Sequence, residues 1–84
     1  MNAVAQVFPN PTSDRVTFTF TGEGLLNAWD IMDTSGRVVA QIAVEGHATS
    51  TTMDVSALDA GMYLATPTGD GMSHVEPVTF QVIR

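Results

Sequence analysis

Short runs of alternating apolar and polar residues, cut at near-regular intervals by glycine and proline, leave this chain little choice but β-structure. Val16, Phe18 and Phe20 alternate with Thr17, Thr19 and Thr21, giving one apolar and one polar face built from β-branched and aromatic residues. Breakers arrive at Pro9-Asn10-Pro11, Gly22-Glu23-Gly24, Asp33 to Gly36, Gly46, Asp59 to Gly61 and Gly69 to Gly71. No useful window shows i, i+3, i+4 spacing among helix-forming residues. The cadence predicts seven strands, at about 3–8, 15–21, 25–33, 37–44, 48–55, 62–68 and 73–83, with ends good to a few residues. Short strands at even spacing make a sandwich or a barrel.

Turn chemistry sharpens the choice. Asp33-Thr34-Ser35-Gly36 lies between two apolar runs and reads as a hairpin loop, with Gly36 free to take a positive φ. Pro67 and Pro77 cannot donate to a ladder and belong at edges or bulges. Pro9 and Pro11 fix φ and bias Phe8 and Asn10 toward extended geometry, which predicts a stiff entry that Ser13 and Asp14 cap before the second strand. Leu58-Asp59-Ala60-Gly61-Met62-Tyr63 has the form of a tyrosine corner, in which a Tyr hydroxyl bonds back to the backbone just upstream. That corner selects an immunoglobulin-like, two-sheet antiparallel sandwich over a closed barrel. Phe18, Phe20, Trp29, Ile31, Val55, Leu58 and Tyr63 are its expected core.

At 84 residues the chain is a single domain, residues 1–84, with no repeat, linker or low-complexity tract. It has no cysteine, so neither disulfides nor thiolate metal sites enter the account. Nine acidic residues stand against three scattered arginines and no lysine, for a net charge of −6. Such a surface repels phosphate, which argues against nucleic acid and anionic lipid as partners. No run approaches the ~20 apolar residues of a membrane span, and no leader pattern is expected within these residues. Met1-Asn2-Ala3-Val4 leads almost directly into strand-like sequence, as expected of a piece excised from something longer with an added start.

A search for chemistry returns little. His47 and His74 sit in polar, loop-like surroundings without a partner at motif spacing; solvated surface histidines are the simpler account than a metal ligand or general base. The five serines include no Gly-x-Ser-x-Gly elbow, and Gly69-Asp70-Gly71 lacks the third glycine and the strand–helix context of a nucleotide loop. Asp30 and Asp33 do not follow a calcium-loop pattern, and proline in Asn10-Pro11-Thr12 spoils the glycosylation sequon. Trp29 is either a sugar-stacking platform or a core residue, and its mid-strand position favours the core. The expectation is a domain that is not an enzyme and needs neither cofactor nor metal.

Three segments, in order, carry a resemblance. They are Val7-Phe8-Pro9-Asn10-Pro11-Thr12-Ser13-Asp14-Arg15-Val16, then Ile31-Met32-Asp33-Thr34-Ser35-Gly36-Arg37-Val38-Val39, then Met53-Asp54-Val55-Ser56-Ala57-Leu58-Asp59-Ala60-Gly61-Met62-Tyr63-Leu64. Followed by an apolar strand from Val78 to Arg84, they resemble the C-terminal sorting domains of type IX (Por) secretion substrates over almost the whole chain. Asp-x-x-Gly-Arg alone is common in hairpins; the order and spacing of all the segments carry the likeness. Pro9, Asn10, Pro11, Asp33, Gly36, Asp54, Leu58, Gly61 and Tyr63 are the motif positions. The resemblance implies a sorting signal on an N-terminal cargo, exported through the periplasm to the cell surface or beyond. Its implied partners are the translocon, an outer-membrane shuttle and a sortase, and its implied recognition segment is Val78, Phe80, Val82, Ile83 and Arg84 in the last strand. Two departures stand out: Thr79 and Gln81 lie where lysines are usual, and Met32 where an aromatic is common. The competing expectation is an immunoglobulin-like accessory module that binds carbohydrate or a neighbouring domain; burial of Trp29 separates the two.

Overall fold

The computed structural model describes residues 4–22, 24–72 and 75–83. Among these residues seven strands follow in order: β1 Val4–Phe8, β2 Arg15–Thr21, β3 Leu25–Met32, β4 Val38–Ala43, β5 Ser50–Asp54, β6 Gly61–Asp70 and β7 Val78–Val82. One turn of 3-10 helix, Glu45–His47, links β4 to β5. The strands form two antiparallel sheets, β1-β2-β5 and β4-β3-β6-β7, stacked as an immunoglobulin-like sandwich.

The alternation seen in the sequence is the alternation of burial. In β2, Val16, Phe18 and Phe20 are buried while the threonines between them are more exposed. Trp29 and Ile31 of β3, Tyr63 and Ala65 of β6, and Phe80 and Val82 of β7 close the core from the other sheet. Phe18 joins the two layers: its ring stacks on Trp29 at 5.1 Å and meets Phe80 edge-on at 5.6 Å, and Phe80 in turn stacks on Tyr63 at 5.6 Å. Leu58, expected in the core, is only partly buried: it lies in the β5–β6 loop and packs against the core from there. The tyrosine corner is formed, with the Tyr63 hydroxyl donating to the Asp59 carbonyl at 2.6 Å.

The last strand is shorter than its sequence pattern. It begins at Val78, because the Gly69 carbonyl accepts the Met72 N–H, the Met72 carbonyl accepts the Val75 N–H, and the chain turns to bury both side chains as a plug. Gly69 is required here: at φ 144° a Cβ would lie 2.0 Å from the Leu25 carbonyl oxygen, beside the bulge between Leu26 and Ala28. Pro67 sits inside β6 opposite Trp29, in the stretch beyond Ala65 that β7 does not reach, so its missing donor leaves no gap in a ladder.

Candidate functional site

The segment between β1 and β2 does not run straight. Residues 9–11 bend, and the Phe8–Pro9 and Asn10–Pro11 peptide bonds are cis. The bend is a change of sheet. The chain leaves β1 in the three-stranded layer, pairs at Thr12 with β7 of the other layer, and returns to β2. On return the Thr12 hydroxyl bonds the Arg15 carbonyl, and the Asp14 carbonyl accepts the Val55 N–H at 2.8 Å.

This crossing closes the outer edge of β7. The Thr12 N–H donates to the Gln81 carbonyl at 2.9 Å, and the Thr12 carbonyl accepts the Ile83 N–H at 2.8 Å. One step upstream the Asn10 side chain imitates a strand residue. Its Oδ1 accepts the Gln81 N–H at 2.9 Å, and its Nδ2 reaches the Thr79 carbonyl at 3.4 Å. A carboxylate could not donate and an aliphatic chain could do neither; the Asn10 amide supplies both halves of the bridge. The buried Thr12 completes a strap across the last strand.

Within that strand the candidate recognition residues divide. Phe80 and Val82 are core residues, and Val78 is half-buried against them. Ile83 is 43 % exposed, and the side chains of Thr79 and Gln81 also face solvent. Arg84 lies outside the described residues, as does His74.

The β3–β4 hairpin is the other organised feature. Asp33 Oδ1 accepts from the Ser35 N–H at 3.0 Å, the Ser35 hydroxyl at 2.6 Å and the Arg37 N–H at 3.1 Å. Its Oδ2 meets the Arg37 guanidinium at 3.2 Å. The Ser35 hydroxyl, with help from the backbone and Arg37, holds the Asp33 carboxyl down to a pKa of about 2. Gly36, at φ 85°, makes the tight return possible. Asp54 works similarly at the start of the β5–β6 loop, where its Oδ1 accepts the Ser56 N–H at 2.8 Å. Each of these motif carboxylates is occupied in shaping a turn.

Trp29 is fully buried at mid-strand, which leaves no stacking platform there for a sugar. Among the described residues no three His, Asp or Glu side chains converge as a metal site.

A family model described as "Secretion system C-terminal sorting domain" matches residues 6–80. No curated protein and no solved structure matches the chain.

Proposed function

The chain belongs to the type IX (Por) secretion-system C-terminal sorting domain family, and on that premise we propose that it directs a cargo fused to its N-terminal side through the type IX machinery to the cell surface or medium. The observation that carries this reading is the match over residues 6–80, which takes in every motif position from Pro9 to Tyr63. The domain works by being bound. Translocon, shuttle and sortase components are the proposed partners, met after passage through the periplasm.

The folded domain offers β7 as a recognition element of a particular kind. Val78, Phe80 and Val82 hold the strand against the core, and what remains for a partner to read is the outward row of Thr79, Gln81 and Ile83, with Arg84 following. Strand addition at β7 would first have to displace the Asn10–Thr12 strap. We therefore place recognition on the outer side-chain face of β7.

The test is a folded reporter joined ahead of residues 1–84, carrying a periplasmic signal peptide, in a host with type IX machinery. Surface delivery in that host, lost when the translocon is deleted, is the expected result. A reporter that stays in the periplasm of the intact host contradicts the proposal. Burial of Trp29 weighs against the carbohydrate-binding alternative.

A further inference from the structure

The outer face of the four-stranded sheet changes character along its length. Inward positions are taken by Trp29, Ile31, Tyr63, Ala65 and Pro67, so Asp30 and Met32 of β3 and Met62, Leu64 and Thr66 of β6 point outward. At one end the outward pair is Asp30 and Thr66, as a solvated face should be. One step further, the register brings Val38, Met32, Leu64 and Thr79 into a single row across four strands, with Met62 beside it. Val38 is 54 % exposed and Met62 45 %. Met32, Met62 and Leu64 wall a shallow groove of about 340 Å³, closed on one side by the Asp33–Gly36 hairpin and on the other by Thr79.

These side chains add little to the core, yet they replace the polar residues that strand alternation puts on a wet face. A local apolar surface of this sort, rimmed by polar groups, marks a contact site. Methionine suits one, because its flexible thioether adapts to an incoming group. The groove also lies against the outward side of β7, where the sorting reading places recognition, while the strand's backbone edge is already bonded to Asn10 and Thr12.

Charge selects the occupant. Two copies of a chain carrying −6 repel one another, which disfavours self-pairing through this face. Asp30, one register step from the groove, has a neutral partner, the Gln41 amide at 2.7 Å. Asp33 at the rim is offset by Arg37, which leaves Asp30 beside the groove and the chain's net charge of −6 to select the partner's sign.

We propose that this groove is the docking site for a cationic protein surface of the export machinery, which inserts one apolar side chain between Met32, Met62 and Leu64 and sets its basic groups against Asp30 and the acidic surface beyond. The proposal rests on the sorting function above and names the chemistry of the partner.

The reporter fusion tests it with three sets of variants. Met32→Gln/Met62→Gln keeps side-chain length but removes the apolar walls. Surface delivery should fall roughly tenfold, the loss expected from one well-packed anchor. Thr66→Gln, on the same face outside the groove, should deliver like the parent. At the rim, Thr34→Lys should lower delivery while Thr34→Glu retains it. Thermal melts identify any variant that fails to fold; Thr34 is exposed, so that pair decides the question even if the double variant is unstable. Full delivery by a folded Met32→Gln/Met62→Gln overturns the groove, and equal delivery by the two Thr34 variants overturns the cationic partner. No delivery by the parent domain would sink the sorting function, and the groove with it.

Discussion

The four-stranded sheet has two outer strands, β4 and β7, and they are finished differently. Around β7 the backbone groups of Gln81 and the Ile83 N–H are bonded to Asn10 and Thr12, from the far end of the sequence. Around β4 no strand is paired on the outer side among the described residues. The ladder of β4 ends with the Val44 N–H donating to the Asn27 carbonyl at 2.8 Å, and antiparallel alternation then points the Gln41 and Ala43 N–H groups away from β3. β4 limits its edge by other means, a bulge opposite Ile31 and Met32. The lesson is that a strand near the end of a sequence need not be open at its edge. Here the last strand is closed on both sides, and its outward side chains are what it can show.

The contrast can be broken by substitution. Phe80→Ala on β7 removes a fully buried ring that touches both Phe18 and Tyr63, and should cost roughly 3–5 kcal/mol. Val39→Ala on β4 removes a partly exposed side chain and should stay within about 0.5 kcal/mol. Urea melts giving equal losses would mean that the two outer strands are anchored alike.

Tyr63 ties the start of β6 to the loop before it and supports Phe80 from below. Tyr63→Phe keeps the ring and loses only the hydroxyl bond to the Asp59 carbonyl, so the expected loss is on the order of 1 kcal/mol with the fold retained. A denaturation midpoint matching that of the parent would remove the corner from the account.

The smallest effect belongs to the hairpin that begins β4. The Asp33 carboxyl is lowered from 3.8 to about 2, so its charged form is favoured by folding. The resulting stability is fully present above the unfolded value and is lost as pH falls through the folded one, a window from about 4 down to about 2. Asp33→Asn should flatten the fall in melting temperature across that window and leave β7 unaffected. An unchanged acid slope would contradict the assigned hydrogen bonds.

Local patterns made the fold legible. Alternation located the strands, Asp33 to Gly36 announced a hairpin, and the small-residue turn before Tyr63 announced the corner, because each of these is written in neighbouring residues. The strap was not legible. Asn10 bonds residues 69 and 71 positions away, and no periodicity encodes that pairing, so proline stiffness alone suggested a straight entry where the chain changes sheets. Val75 misled in the opposite sense. It read as part of a last strand at 73–83, whereas the strand begins at Val78 and Val75 turns inward with Met72 to plug the sandwich end. The apolar groove was hidden for the same reason as the strap: Met32 joins Met62 and Leu64 only once β3 and β6 are in register.

The most direct test of a closed β7 is amide hydrogen exchange, residue by residue, in the parent domain and in Asn10→Ala. The account predicts that Gln81 and Ile83, bonded to the strap, exchange far more slowly than the outward amides of Gln41 and Ala43 on β4. In Asn10→Ala the Gln81 amide should speed up by about fivefold, as expected from losing a bond of about 1 kcal/mol, while Gln41 and Ala43 stay as they were. Gln81 and Ile83 exchanging as fast as Gln41 and Ala43 in the parent domain would show that the last strand is open at its edge, and would contradict the account.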